Sequence, residues 1–369
     1  MTLRYGLIGA GMMGQEHIRN IALLEGAEVV AIADPDLHMT RKAQTLAGPS
    51  CKAYLHHQEM LTYEGLDAIV VAAPNHMHHS ILREVMRTDI PVLCEKPLGI
   101  SPQECDDIVA WDAARDAPLW TAMEYRYMPP VQRLIDEVRS GLAGQVRMLS
   151  IREHRFPFLP KVGDWNRFSE QTGGTLVEKC CHFFDLMRLI LQAEPVRVYA
   201  SGNMDVNHKD EDYGGRVPDI LDNAYVIVDF DTGARAMLDL CMFAEGSYWQ
   251  EVISATGPEA RIDAMIPGPA RFSKDGEERE SQIVISERGS KSEVVIPIEV
   301  DPRILRAGDH HGSTFYQHMR FAQMLRTGGA PEVSAADGMI AVKVGIAAER
   351  SARTGQAISL TSERELVDA

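Results

Sequence analysis

The glycines near the start of the chain have the spacing of a phosphate-binding turn. Gly9, Gly11 and Gly14 follow an apolar run and precede a helix-like stretch. Such a Gly-x-Gly-x-x-Gly pattern permits a tight turn, close approach of a pyrophosphate to the backbone, and close packing of the next helix. The helix N-terminus then directs N–H groups at the phosphates. We predict that Gly9, Gly11, Met12, Met13 and Gly14 bind a dinucleotide; the alternative is a glycine-rich turn of another α/β domain.

Asp34 indicates which dinucleotide binds. It ends the second apolar run and follows Gly14 by 20 residues, the offset of an acid that binds the adenosine ribose. A carboxylate there accepts hydrogen bonds from the ribose hydroxyls and repels a 2′-phosphate. The sequence therefore predicts NAD, while Arg41 and Lys42 leave NADP possible.

Glu95-Lys96-Pro97 ends another strand-like run. A buried amine beside a cofactor loses its proton more easily and can take part in proton transfer. Pro97 restricts the backbone and so fixes the direction of Lys96. We predict that Glu95 and Lys96 contact the cofactor and that Lys96 contacts the substrate; the alternative is an exposed Lys96 paired with Glu95.

A second polar group follows Gly173-Gly174. Glu178, His182 and Asp185 have the spacing i, i+4, i+7 and would share one face of a helix predicted over about 176–191. A carboxylate one turn away can orient an imidazole and tune its basicity. We predict that Glu178 and His182 are catalytic and bind substrate; the alternative is a surface ion pair on an amphipathic helix.

Further polar residues are expected at the same edge of the predicted sheet. Pro74 and Asn75 suit a turn against the nicotinamide, and His78 could donate to it. We assign Ala73, Pro74, Asn75, His78, Arg126 and Trp165 to the cofactor, and Tyr127 and Trp165 to the substrate. The alternative for Arg126, Tyr127 and Trp165 is packing at a domain junction.

No metal site is predicted. The imidazoles at 76, 78 and 79 do not share one helix face, and the adjacent Cys180 and Cys181 point in different directions. A site that combines Glu178, these cysteines, His182 and residues 309–311 is the weaker interpretation.

Residues 1–124 alternate strand-like and helix-like runs. The strand-like runs are apolar throughout, as expected of a sheet covered on both faces. We predict a Rossmann-type, doubly wound parallel sheet whose ligands bind beyond the carboxyl ends of the strands. The predicted strands are 4–8, 28–33, 68–73, 91–95 and 119–123, and the predicted helices are 13–24, 37–47, 78–88 and 102–115.

Residues 125–312 have a different pattern. From Val146 onward, runs with period-two alternation predict a large, mostly antiparallel sheet with one open face, and Asp231-Thr232-Gly233 predicts a hairpin. We interpret this α+β region as the substrate-binding and oligomerisation domain. Residues 313–369 are predicted to form C-terminal helices that pack back on the first domain.

Composition excludes several classes of partner. The 369 residues carry a net charge of −16, which argues against nucleic acid and anionic membranes. No apolar run has the length of a membrane span, and the N-terminus enters a strand at once. The six cysteines are scattered or adjacent, as in a reduced cytoplasmic protein.

Taken together, these motifs resemble the glucose-fructose oxidoreductase / inositol dehydrogenase family. The resemblance covers almost the whole chain, up to Ser351-Ala-Arg-Thr-Gly355. It implies an N-terminal Rossmann domain and a C-terminal domain whose open sheet builds homodimers or homotetramers. It also implies an acid/base role for Lys96 and His182. Glu178 stands where the family usually has Asp.

These inferences lead to one functional hypothesis and two alternatives. The hypothesis is a cytoplasmic NAD-dependent dehydrogenase that oxidises a secondary alcohol of a sugar, cyclitol or related polyol. Its proton relay would be Lys96 and His182. One alternative is a glycosidase-type enzyme that oxidises its substrate transiently and recycles NAD. The other is a non-catalytic sensor of NAD and sugar.

Overall fold

We describe residues 2–361 from a computed structural model. The helices are α1 (Met12–Ile21), α2 (Leu37–Ala47), α3 (His57–Met60), α4 (His78–Val85), α5 (Pro102–Ala113), α6 (Pro129–Arg139), α7 (Ser169–Thr172), α8 (Thr175–Glu178), α9 (Cys181–Leu191), α10 (Pro302–Leu305), α11 (Ser313–Thr327) and α12 (Ala335–Thr354). The strands are β1 (Leu3–Ile8), β2 (Ala27–Ala33), β3 (Lys52–Tyr54), β4 (Ala68–Val71), β5 (Val92–Glu95), β6 (Leu119–Ala122), β7 (Met148–His154), β8 (Pro195–Asn203), β9 (Asn223–Phe230), β10 (Arg235–Cys241), β11 (Trp249–Thr256), β12 (Ala260–Pro267), β13 (Ser281–Glu287), β14 (Glu293–Ile298) and β15 (Ile358–Ser359).

The described residues divide into two compact units. The first contains residues 2–124, Lys161–Trp165 and Pro302–Val342, and the second contains Tyr125–Pro160, Asn166–Asp301 and residues 343–361. Trp165 and helices α10 and α11 therefore group with the N-terminal residues. The domain boundaries at 124 and 312 stay a prediction, and residues 362–369 of the predicted C-terminal segment lie outside the described residues.

The first unit is built on a parallel sheet of strand order β3-β2-β1-β4-β5-β6. Strands β4, β5 and β6 are buried at every position, as their apolar sequences require when both faces of a sheet are covered. The predicted doubly wound fold is confirmed. The sequence analysis missed β3, because this three-residue edge strand is largely exposed and has no apolar run.

The second unit is built on a sheet of strand order β14-β13-β12-β11-β7-β10-β9-β8-β15. The β7–β10 pair is parallel, and the other pairs are antiparallel. Strands β9 and β10 form the predicted hairpin, with Gly233 at φ +78°. The mostly antiparallel sheet predicted from the alternating pattern is thus confirmed.

None of the helices among residues 2–361 combines the length and apolar character that a bilayer span needs.

Candidate active site

The three fingerprint glycines have three different surroundings in the first unit. Gly9 has φ +96°, and a Cβ there would lie 2.5 Å from the carbonyl carbon of Ala72. A Cβ on Gly14 would lie 2.0 Å from the carbonyl oxygen of Gly9, so α1 packs directly on the turn. A Cβ on Gly11 would meet nothing within 4 Å, which leaves open space on that side of the loop. A phosphate could therefore approach the backbone at Gly11.

Asp34 is held at the end of β2 beside this loop. Its Oδ2 accepts from the Ala10 N–H at 2.7 Å, and its Oδ1 accepts from the Asp36 N–H at 2.8 Å. Each oxygen keeps a second acceptor site, so the oriented carboxylate can also receive ribose hydroxyls. Together with the open face at Gly11 and the start of α1 at Met12, these residues fit the adenosine and pyrophosphate parts of NAD.

His78 connects two loops at the carboxyl edge of the sheet. Its Nδ1 lies 2.8 Å from the carbonyl oxygen of Pro97, and its Nε2 lies 3.0 Å from that of Ala73. The ring is fully buried and ties the loop after β4 to the loop after β5. Its expected donation to the nicotinamide stays a prediction, as do the cofactor roles of Pro74 and the buried Asn75.

Lys96 follows β5, is half-buried, and precedes a cis peptide bond to Pro97. The Lys96 N–H donates to Glu95 Oε2 at 3.2 Å. Glu95 Oε1 in turn lies 2.9 Å from His17 Nε2, so Glu95 contacts a histidine as well as the lysine backbone. Glu95 is buried, so the alternative interpretation of an exposed pair between Glu95 and Lys96 does not fit this residue.

Two buried imidazoles, those of His17 and His318, connect in series to Glu95. His17 Nδ1 lies 2.8 Å from His318 Nε2 on α11, and both rings are fully buried. Burial opposes a charge on His17, yet the hydrogen bond and negative charge of Glu95 raise its pKa. Burial and the charge of His17 hold the pKa of His318 well below its usual value. The His17 ring therefore bridges the Glu95 carboxylate and the imidazole of His318.

A group of two carboxylates and an imidazole lies at the carboxyl end of β6. His310 Nδ1 is 3.1 Å from Glu124 and 3.5 Å from Glu16, while the Thr314 hydroxyl is 2.9 Å from Glu16 and 2.5 Å from Glu124. Among the described residues, Glu16, Glu124 and His310 form the group whose ligand atoms lie close enough to hold a metal ion. The cysteine-containing combination considered from the sequence does not form such a group.

In the second unit, the predicted single helix over 176–191 is wrong. The chain forms two helices, α8 and α9, with Lys179 and Cys180 between them. Glu178 therefore ends one helix, whereas His182 and Asp185 lie on the next, and the uninterrupted face expected from i, i+4, i+7 spacing does not exist. Lys179 is buried at this break and forms an ion pair with Glu153, a contact that the helical pattern did not predict.

His182 is nevertheless held in a defined orientation. Its imidazole stacks on the ring of Tyr125, with centroids 4.1 Å apart and planes at 5°.

Asp185 accepts two hydrogen bonds from Arg126, from Nε at 2.6 Å and from Nη2 at 2.5 Å. This buried, bidentate pair explains the position of Arg126 without a cofactor, and its predicted cofactor contact stays a prediction.

The remaining predicted residues are distributed as follows. Glu178 is 3% exposed and Tyr127 is 5% exposed, so both are buried in the second unit. Trp165 belongs to the first unit, where its ring lies 6.1 Å from that of His76. Met12 is exposed at the start of α1. The sequence analysis missed His17, His318, Lys179 and Thr314, because their partners are distant in the chain. The signal it could have used is the Glu16-His17 pair that follows the fingerprint.

Comparison with known proteins decides the family. Residues 3–123 match a family model described as an oxidoreductase family with an NAD-binding Rossmann fold, and residues 136–360 match the C-terminal alpha/beta domain of the same family. The chain belongs to the GFO/IDH/MocA oxidoreductase family. It is accordingly an NAD(P)-dependent oxidoreductase with an NAD-binding Rossmann domain, and the predicted resemblance and NAD cofactor are confirmed.

Two curated members of the GFO/IDH/MocA family illustrate the similarity. Myo-inositol 2-dehydrogenase of Thermotoga maritima is 26% identical over 97% of this chain and 98% of its own length. The rhizopine catabolism protein MocA of Rhizobium meliloti is 29% identical over 73% of this chain and 81% of its own length. A levoglucosan dehydrogenase solved with NADH and levoglucosan has a TM-score of 0.82 at 18% identity, covering 98% of this chain and 100% of its own, which shows a shared fold.

Proposed function

We propose that this family member is an NAD-dependent dehydrogenase that oxidises a secondary alcohol of a sugar, cyclitol or related polyol. The observation that carries the proposal is His182, a buried imidazole stacked on Tyr125 in an oxidoreductase of this family. The substrate class is supported by the near full-length similarity to an enzyme named myo-inositol 2-dehydrogenase.

The first unit supplies the groups that would hold NAD. The loop Gly9–Gly14 and the start of α1 would bind the pyrophosphate, and Asp34 would accept from the ribose hydroxyls. Ala73, Pro74 and Asn75 would line the nicotinamide. When bound, NAD supplies the acceptor for the substrate hydride. Selectivity for NAD over NADP is supported by the Asp34 carboxylate, which would repel a 2′-phosphate.

The acid–base chemistry is assigned to three side chains. His182 would accept the hydroxyl proton at a ring nitrogen, and Lys96, as a cation, would stabilise the developing alkoxide. Glu178 would bind a neighbouring hydroxyl or orient His182. Tyr127 and Trp165 would form apolar parts of the substrate site.

The test is a screen of free polyols, inositols and glycosides for NADH formation, followed by variants of His182 and Lys96. We expect stoichiometric NADH from at least one free polyol. His182→Ala should lower kcat by about 100-fold or more while the Kd for NADH stays within twofold. If Lys96 and His182 serve the same carbinol, the losses in Lys96→Met and His182→Ala should be strongly non-additive. Full activity of His182→Ala, or glycoside cleavage without NADH, would contradict the proposal.

We also propose that the protein works in the cytoplasm as a homodimer or homotetramer assembled through the open face of the large sheet. The six free thiols suit a reducing compartment. Tyr199, Ile227 and Met237 are exposed and lie side by side in register on β8, β9 and β10, which forms an apolar row across three strands. Such a row on an open sheet marks an interaction surface.

A further inference from the structure

Lys179 is a buried charge that the proposed chemistry does not use. It lies at the break between α8 and α9 and is only 4% exposed. Its Nζ lies 2.9 Å from Glu153 Oε1 on β7 and donates a hydrogen bond to the phenol oxygen of Tyr125. A buried ammonium is costly unless it is paired and hydrogen-bonded, so these two contacts determine where the side chain lies.

Tyr125 connects this amine to His182. Its phenol oxygen accepts from Lys179, and its ring covers one face of the His182 imidazole in a parallel stack. Tyr125 is 1% exposed and His182 is 2% exposed, so neither ring can tilt without displacing the other. A continuous series of contacts therefore runs from Glu153 through Lys179 and Tyr125 to the imidazole.

The charges around Lys179 come from two neighbouring strands. Glu251 on β11 pairs directly opposite Glu153, and Arg155 Nη1 lies 3.5 Å from Glu153 Oε1. Burial and the adjacent Glu153 raise the pKa of Glu251 to about 8, so this carboxyl is largely neutral at pH 7. Burial and the charge of Arg155 lower the pKa of Lys179, whereas Glu153 opposes that shift. Glu153 thus lies within ion-pair distance of both Lys179 and Arg155.

We propose that Lys179 is a positioning residue for His182, acting through Tyr125 and held in place by Glu153. The proposal rests on the proposed function, in which His182 is the base. Lys179 fixes the plane of the imidazole through the phenol, and its positive charge disfavours a second proton on the ring. His182 is thereby kept in the form that accepts a substrate proton.

The kinetic test uses Lys179→Met and Tyr125→Phe, the latter of which keeps the aromatic ring and removes the phenol. Each variant should lower kcat by about tenfold while KM changes less than twofold, because orientation is lost and substrate contacts remain. In Lys179→Met the acidic limb of the kcat/KM profile should move to higher pH, since a nearby positive charge is gone. Lys179→Arg should restore much of kcat. Lys274→Met, which removes an exposed lysine of the same unit, is the matched control and should behave as wild type.

A second measurement does not depend on turnover. The ring resonances of His182, assigned by comparison with His182→Asn, are followed by NMR against pH in the substrate-free protein. We expect a higher titration midpoint in Lys179→Met, a changed ring shift in Tyr125→Phe, and no change in Lys274→Met. If Lys179→Met does not fold, Tyr125→Phe carries both measurements.

Wild-type His182 resonances and wild-type pH profiles in folded Lys179→Met and Tyr125→Phe would overturn the proposal. The result is separable from a failure of the proposed function. If the proposed function fails, His182→Ala keeps its activity. The effect of Lys179→Met on the His182 resonances is measured without turnover, so it tests the positioning role independently.

Discussion

At the scale of single residues, Gly11 and Gly14 have opposite surroundings although they are three positions apart. A methyl group on Gly14 would lie 2.0 Å from the Gly9 carbonyl oxygen, and one on Gly11 would meet nothing within 4 Å. Gly14→Ala should therefore lower the free energy of unfolding by roughly 1–3 kcal/mol. Gly11→Ala should leave this free energy nearly unchanged but weaken NADH binding by about tenfold or more, because the methyl group would take the space proposed for the pyrophosphate.

Thermal unfolding and fluorescence titration with NADH check both effects, and each variant is the control for the other. A stable Gly14→Ala protein, or unchanged NADH affinity in Gly11→Ala, would contradict this account of the loop.

Asp34 should determine the choice between the two nicotinamide dinucleotides. Its carboxylate is oriented by the Ala10 and Asp36 N–H groups. Asp34→Ser removes the charge that would repel a 2′-phosphate, so the ratio of NADPH to NADH affinity should rise by about tenfold or more. Separate titrations with NADH and NADPH measure the ratio. Asp36→Ser, which alters the N-cap of α2 and leaves the Asp34 carboxylate in place, should change this ratio much less.

Residue spacing predicted some contacts and not others. The offset from Gly14 to Asp34 spans one helix, one turn and one strand. Because these elements are consecutive in the chain, the sequence alone indicated that both residues lie at the same edge of the sheet. The stacked rings of Tyr125 and His182 are 57 positions apart in the chain, and the paired Lys179 and Glu153 are 26 positions apart. No local pattern encodes such pairs, because the arrangement of the strands and helices brings them together.

At the scale of elements, three parts of the first unit meet through imidazoles. His17 on α1 bridges Glu95 at the end of β5 and His318 on α11. Helices after residue 313 were predicted from sequence, but the contact of α11 with α1 through His318 and His17 was not. The helix predicted over 176–191 is instead two helices, and the buried ion pair between Lys179 and Glu153 lies at the break between them.

The imidazole connection predicts a specific loss of stability in acid. His318 has a folded pKa held well below its usual 6.5 by burial and by His17. The unfolded chain takes up a proton on His318 below about pH 6.5 and the folded chain does not, so this residue destabilises the fold as the pH falls. His17 has a raised folded pKa, so its contribution is fully present below pH 6.5 and is lost as the pH rises through that higher value.

His318→Gln, which still offers His17 an acceptor, should therefore lose less Tm than wild type between pH 6.5 and 5. Thermal unfolding across this range, compared with the exposed control His38→Gln, tests the sign. A steeper loss in His318→Gln than in wild type would be incompatible with a neutral His318.

At the scale of the whole chain, the two sheet types were predictable because their sequence periods differ. Apolar strands separated by helices predicted the parallel sheet, and alternating strands predicted the large sheet. Residues 302–342 group with the first unit and residues 343–361 with the second, a division within α12 that its helical pattern does not indicate.

The alternating strands also determine what the large sheet presents to solvent. On β9, Ala224, Val226 and Val228 are buried, while Tyr225 and Ile227 are 62% and 46% exposed. Ile227 lies between Tyr199 and Met237 in register, at the centre of the apolar row.

Ile227→Lys places a charge in this row without touching the buried face, so it should dissociate the proposed oligomer while Tm falls little. Light scattering coupled to size-exclusion chromatography measures the mass. Thr232→Lys adds the same charge at the exposed β9–β10 turn and should leave the mass unchanged, whereas an Ile227→Lys protein of wild-type mass would place the subunit contact elsewhere.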